Sequence, residues 1–331
     1  MTLEAERWEG PALGVLCAFR FHNGIGHPLE TPDLDVSDDA AEWTWTHLRL
    51  GDVRAQAAIK AMAFLPPAVR ELFRKLENRV QIEQDEGWVY GVLPDFERDL
   101  AGKTQGEGRL AFAFDSRRLI TGRLHALLAV DDLRHAVEQG LKVPSPAATL
   151  VLLIEHYVER VEDALEDLGS QIAAAEDYVL TELQNPRHVQ LPSLRRAIAR
   201  QRRELQILRT TLWRTYNGRH GRTVEFASDD VHDLVAWLED ADREAGALQE
   251  RGRLLYEEID ALISAATNRS MRTLTVISTL LIPPTLIVGA FGMNLPGIPF
   301  EHSNTGFFEA SGLCVAVVVA ALWLLRRMNV L

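Results

Sequence analysis

The chain has 331 residues, 47 acidic against 35 basic side chains and a formal net charge of −12, with a mean hydropathy of −0.06. That balance disfavours nucleic acid as a partner, since phosphate binding needs a basic surface, and it suits a surface that gathers cations. Cys17 and Cys314 stand far apart, outside any CxxC or Cys/His cluster, which argues against a disulfide framework and a structural zinc finger.

Met1–Pro11 is polar, without the apolar core of a secretory signal, so no cleaved leader is expected. Residues 1–143 read as a mixed α/β domain. Ala12–Phe21 and Trp43–Leu50 suit strands, and His22–His27 between them suits a loop. Val53–Phe64 and Pro67–Leu76 suit helices, the second with proline at its first position, where a missing N–H costs nothing. Arg79–Glu83 and Gly87–Leu93 flank Asp85-Glu86-Gly87 as a hairpin, and Leu110–Phe114 with Leu119–Thr121 flank Asp115-Ser116-Arg117 as a second. Asp131–Gln139 reads as a short helix stopped by Gly140.

Pro144-Ser145-Pro146 marks a boundary, and residues 144–273 are almost wholly helical in pattern. Helices are expected over Ala147–Leu183 and Pro192–Tyr216, broken by Asn185-Pro186 and Asn217-Gly218. Ser228 is a good N-cap, because its side-chain oxygen satisfies free N–H groups. No proline follows until Pro283, so one helix is expected from Ser228 to about Phe291. At 1.5 Å per residue its length is on the order of 100 Å. A helix of that length outruns its own small domain and implies a stalk shared between subunits.

Residues 274–327 form a membrane region, with spans at 274–291 and 306–325. Each approaches the ~20 apolar residues that cross a bilayer. Arg269 and Arg272 precede the first span, Arg326 and Arg327 follow the second, and Gly292–Glu309 holds no Lys or Arg. Positive residues stay on the cytoplasmic side, so both termini are expected in the cytoplasm and the connecting loop outside.

From Asn268 the membrane-entering helix carries Asn268, Met271, Thr275, Ser278, Ile282, Thr285 and Gly289 on one stripe, by steps of three and four. The stripe is mostly small and polar, whereas the other faces are bulky and apolar. Lipid offers no hydrogen bonds, so such a stripe needs a partner or water. Small residues also serve close helix packing, which is the alternative explanation. Two spans cannot enclose a pore, so transport along the stripe requires a homo-oligomer. Pro283-Pro284 frees carbonyls of the preceding turn, as a kink or as part of the lining.

The run Ile282-Pro283-Pro284-Thr285-Leu286-Ile287-Val288-Gly289-Ala290-Phe291-Gly292-Met293-Asn294 resembles the pore helix of CorA-type divalent-cation transporters. Leu295-Pro296-Gly297-Ile298-Pro299 resembles the ZntB zinc-transporter branch more than the magnesium channels, and Trp45-Thr46-His47-Leu48 is loosely similar to the ZntB soluble domain. The resemblance implies an α+β membrane protein: a homopentameric funnel with N-terminal cytosolic α/β domains, a long helical stalk and two C-terminal transmembrane helices in the inner membrane. It implies Gly292, Met293 and Asn294 as an outer selectivity ring, with Thr285, Gly289 and the stripe below lining the conduit. It implies Zn2+ uptake, with a proton gradient as a candidate driving force and Co2+, Ni2+, Cd2+ or Mg2+ as further cargo. No bound cofactor and no nucleic-acid partner are expected, only self-association, lipid and the transported cation.

Glu301 and His302 lie in the outer loop, where they serve either to attract Zn2+ or simply as solvated loop. Asp229, Asp230, His232 and Asp233 suit helix capping, with a cation-sensing site as the alternative. No nucleophile elbow, P-loop or HExxH occurs, so nothing supports an enzyme. Two rivals stay open: a CorA-type Mg2+/Co2+/Ni2+ channel, and a membrane-anchored scaffold or metal sensor whose spans only tether it.

Overall fold

The computed structural model describes residues 14–29, 42–98, 104–181, 191–217, 228–293 and 306–327. The elements in order are β1 (Val15–His22), β2 (Ile25–Pro28), β3 (Glu42–Arg49), α1 (Val53–Ala61), α2 (Pro67–Arg74), β4 (Gln81–Asp85), β5 (Trp88–Arg98), β6 (Thr104–Phe114), β7 (Arg118–Arg123), α3 (Leu128–Glu138), α4 (Pro146–Thr181), α5 (Leu191–Asn217), α6 (Ser228–Phe291) and α7 (Gly306–Arg327). Two compact units result. One holds Met1–Ala175 and Gln190–Arg253; the other holds Glu176–Val189 and Leu254–Leu331.

The first unit is built on one seven-stranded sheet in the order β2-β1-β3-β7-β6-β5-β4. Only β3 and β7 run parallel; the other pairs are antiparallel. Alternation sends Phe19, Phe21, Trp43, Trp45, Leu110, Phe112 and Phe114 into one core. There they meet α3, α4, α5 and the start of α6. Ala18, Ala111, Ala113 and Ile120 face the second core, covered by α1 and α2.

Two differences from the sequence expectation have clear causes. The stretch after His22 forms the short strand β2 instead of a plain loop, because Asn23 and Gly24 both adopt positive φ and close a tight hairpin. Strand β5 runs on through Pro94 to Arg98, and β6 starts as early as Thr104 to pair with it. Pro94 lies past the last residue paired with β4, so one side of β5 is already without ladder bonds there and a residue lacking N–H is tolerated.

The first part of α6 also departs from the shared-stalk expectation. Leu234, Leu238, Ala241 and Ala245 recur at helical spacing and are buried in the core formed with α4, α5 and the sheet. Its own domain therefore does bury the beginning of this helix.

Two buried polar devices tie the core together. Asp95 accepts hydrogen bonds from the amides of Phe96 (2.6 Å), Ala129 (3.0 Å) and Val130 (3.3 Å), and so caps α3 from a distant strand. Burial pushes its carboxyl up to about 7, against the pull of those three amides. Thr121 Oγ1 accepts from Trp45 Nε1 at 2.8 Å and lies 2.8 Å from His47 Nδ1. An indole nitrogen only donates, so the Thr121 hydroxyl proton is free to go to a neutral His47 ring.

Burial drives the His47 pKa well below the ordinary histidine value, helped by the positive charges of Arg123 and Arg134. In the unfolded chain His47 titrates near 6.5. The unfolded state therefore binds the extra proton first on acidification, and stability present above that pH is lost as the pH falls through it. Asp95 acts in the opposite sense, because its raised carboxyl takes up a proton in the folded state before it does in the unfolded chain, so the two groups oppose each other between about pH 7 and pH 5. Relative to the parent, His47→Asn should therefore keep more of its thermal stability as the pH falls through that window. An identical pH dependence of the midpoint in parent and variant would remove His47 from the acid response.

Candidate ion pathway

The candidate pathway lies in the second unit, on the last part of α6 and on α7. Helix α6 is continuous through Pro283-Pro284 to Phe291. Proline lacks the N–H that would bond the carbonyl four residues back, so Thr279 and Leu280 keep carbonyls without intrahelical donors. The helix ends on Gly292, whose amide donates to Val288 O at 2.9 Å, and Met293, whose amide donates to Ala290 O at 3.4 Å.

Asn268, Met271, Thr275, Ile282, Thr285 and Gly289 are all exposed within the single chain, and Ser278 is partly so. The structure thus brings the stripe together along one helix. Thr275 donates its hydroxyl to Met271 O (2.8 Å) and Thr285 to Leu281 O (2.6 Å), which satisfies each proton locally and leaves the hydroxyl oxygens outward as acceptors. Ile282, Thr285, Gly289 and Met293 line one side of an open groove with Leu281, Leu286 and Ala290. A Cβ built at Gly289 meets no atom within 4 Å, so nothing in its own chain requires a glycine there. At Gly292 a Cβ would meet Val288 O at 3.3 Å, a tighter place set by the helix end.

Asn294, Glu301 and His302 lie outside the described residues, as does the loop between α6 and α7. The helix α7 adds a residue that the sequence reading passed over. Glu309 sits in the first turn of α7, where the positive end of the helix dipole favours a carboxylate. Its spacing from the stripe gave no periodic signal, so only the helix start reveals it. Phe307 and Phe308 precede it in the same turn, exposed and edge-to-face with ring centroids 5.7 Å apart. At the other end of α7, Arg327 lies 5.3 Å from the Trp323 ring. Aromatic residues at both ends of an apolar helix suit the two boundaries of a bilayer.

Both α6 and α7 are long and apolar enough to cross a membrane, and almost nothing of their apolar windows is buried in the single chain. Leu274, Ile277, Leu281, Leu286 and Val288 on α6, and Val315, Val319 and Leu324 on α7, contribute to that surface. An exposed patch of that size has to be covered by lipid or by other copies.

Of the other candidates, the histidines His232 and His22 make ring and ion-pair contacts within the chain. His232 contacts Tyr216 and Trp213 edge-on, at centroid separations of 5.5 and 6.5 Å. The side chains of Asp229 and Asp230 lie outside the described residues. His22 stands 3.5 Å from Glu42 across the β1–β3 pair. Among the described residues no three His, Cys, Asp or Glu side chains gather to hold a metal.

A family model for the CorA-like Mg2+ transporter protein matches residues 40–327. The divalent cation transporter CmaX of Pseudomonas aeruginosa is 32% identical over 217 residues, which span 65% of each chain. The zinc transport protein ZntB of Cronobacter sakazakii is 24% identical over 309 residues, 92% of each chain. The structure of full-length CmaX superposes with a TM-score of 0.81 at 25% identity, covering 97% of this chain and 99% of that one.

Proposed function

The chain belongs to the CorA-like Mg2+ transporter family, one of ion transporters and not enzymes, and from that premise we propose that it carries divalent cations through a homopentameric pore, Zn2+ before Mg2+. The observation that carries the proposal is the exposed stripe of α6 ending at Gly292-Met293. A polar stripe beside a membrane surface needs other copies or water to face it, and around a central axis each stripe residue becomes a ring. Rings of hydroxyl and carbonyl oxygens suit a hard, partly hydrated cation, while Met271 and Ile282 supply apolar constrictions that gate by dewetting. The scaffold alternative has no use for such a stripe.

In this proposal Asn268, Met271, Thr275, Ser278, Ile282, Thr285 and Gly289 line the conduit, and Gly292, Met293 and Asn294 form its outer ring. Glu301 and His302 help to draw metal to the entrance. The soluble part comprises residues 1–143 and a helical part 144–273, followed by membrane spans 274–291 and 306–325. The arginine flanks place both termini in the cytoplasm and the α6–α7 loop outside the inner membrane.

Zinc stands first for two reasons. ZntB of Cronobacter sakazakii aligns over 92% of each chain, and Pro296-Gly297-Ile298-Pro299 carries no acidic side chain after Asn294. Co2+, Ni2+ and Cd2+ are weaker cargo in this scheme. The name of CmaX, a divalent cation transporter, is neutral between metals.

Two measurements test the proposal. Mass determination of the detergent-solubilised protein should give a pentamer, and a stable monomer or dimer would remove the pore. Flux into proteoliposomes should be faster for Zn2+ than for Mg2+, with a pH gradient imposed and then collapsed to read proton coupling. Robust Mg2+ flux without Zn2+ flux would favour the CorA-type channel instead.

A further inference from the structure

An open cavity lies wholly in the first unit, among residues that take no part in the proposed ion pathway. It has a volume of about 920 Å³ and sits between residues 77–80, which lead into β4, strand β6 and helix α5. That size falls in the range of small-molecule sites, about 300–1,000 Å³. Its lining is unusual for a chain of net charge −12, because five arginines face three glutamates there.

The charges are not all spent on each other. Arg109, nine-tenths buried, donates to Glu204 Oε1 at 2.8 Å, and also to the carbonyls of Asn78 and Gly108 at 3.0 Å each. Arg200 reaches Glu107 only at 3.5 Å. Arg79, Arg203 and Arg214 line the same cavity and have no carboxylate partner among the described residues. Guanidinium groups present planar forks that match phosphate oxygens two at a time, so three of them without a close ion-pair partner suit a phosphate receptor.

The acidic side of the cavity asks for something different. Glu204 is about nine-tenths buried, and its Oε2 has no hydrogen-bond partner; the buried Oε1 of Glu107 makes no hydrogen bond either and has only the 3.5 Å ion pair to Arg200. An unsatisfied buried carboxylate oxygen is costly and calls for a donor. A metal cation would answer that call badly, because five guanidinium groups surround the place.

The geometry points to a binding site for a small molecule that carries at least two phosphate groups at one end and hydroxyl or amino donors at the other. Arg79, Arg203 and Arg214 take the phosphates, and Glu107 and Glu204 accept from the donors. Nucleotides have this chemistry; inorganic polyphosphate has only the first half of it.

The test uses the full-length protein in detergent, without divalent metal, titrated calorimetrically with ATP and with tripolyphosphate. ATP is expected to bind saturably and more tightly than tripolyphosphate. The exposed pair Arg203→Gln and Arg214→Gln should weaken both ligands, by roughly tenfold for each charge removed. Glu107→Gln should weaken ATP while leaving tripolyphosphate unchanged or slightly tighter. Thermal unfolding of the unliganded variants should match the parent, since neither arginine holds a partner whose loss would unfold the chain. Absence of saturable binding by the parent, or equal affinity in the double arginine variant, would overturn the site. Equal binding of ATP and tripolyphosphate, with no effect of Glu107→Gln, would overturn its donor end.

Discussion

Asn294→Ala is expected to cut Zn2+ flux into proteoliposomes by roughly ten- to a hundredfold, the loss expected when a hydrogen-bond-strength contact to a charged species is removed. Five side-chain amides at the outer ends of the α6 helices would offer neutral oxygens to a hydrated ion. Neutral oxygens let the ion keep most of its water and leave again, whereas a ring of carboxylates would hold it. The substitution removes the ring and touches neither the apolar span nor the helix end at Gly292-Met293, so expression and oligomer mass should stay as in the parent. Glu301→Ala provides the contrast. A loop carboxylate acts at a distance, so its loss should only slow entry, and the effect should shrink at high salt as the Debye length falls. Parent-rate flux through Asn294→Ala would make the tripeptide a structural turn.

Gly289→Leu should abolish flux while leaving the chain folded. An added side chain at Gly289 meets no atom within 4 Å of its Cβ in its own chain. Leucine is also the better helix former, by somewhat less than the ~0.8–1.0 kcal/mol that separates alanine from glycine. A single-chain view therefore makes the substitution harmless or stabilising. Around a five-fold axis it would place a ring of bulky apolar side chains across the conduit one turn inside the outer ring. Gly289→Ala should fall between the two. Flux assays beside mass measurement separate the outcomes: an intact pentamer without flux supports a blocked conduit, and a dissociated protein makes Gly289 a helix-packing residue. Parent-rate flux through an intact Gly289→Leu pentamer would remove the stripe from the pathway.

The candidate pathway is proposed largely from the chain alone because its signals are local. Hydropathy over successive turns, the prolines, the arginine flanks and the three-and-four spacing from Asn268 to Gly289 need no knowledge of distant residues, and helix α6 carries all of them on one element. The same is true of the Asn23-Gly24 and Glu86-Gly87 turns, where Gly24, Gly87 and Asn23 take positive φ readily; Glu86 takes it only because the tight turn imposes it. At His22–His27 the strand is not legible in the sequence, because β2 has only four residues and no apolar alternation. The early half of β6, Thr104 to Arg109, was missed for a related reason: its polar, glycine-containing sequence becomes a strand only because β5 pairs with it.

Sequence by itself determined the two apolar spans, the polar stripe, the helix-rich second half and the absence of any catalytic motif, because each depends on periodicity or composition within a short window. Tertiary structure alone decided which strands meet, above all the parallel β3–β7 pair, and how far the start of α6 is buried. It alone brought His47 to Thr121, 74 positions away, and Arg109 to Glu204, 95 positions away. Contacts of that kind form when burial of large apolar side chains such as Trp45 and Phe112 offsets the entropy of closing long loops. That free energy belongs to the assembled core, and no window of residues along the chain displays it.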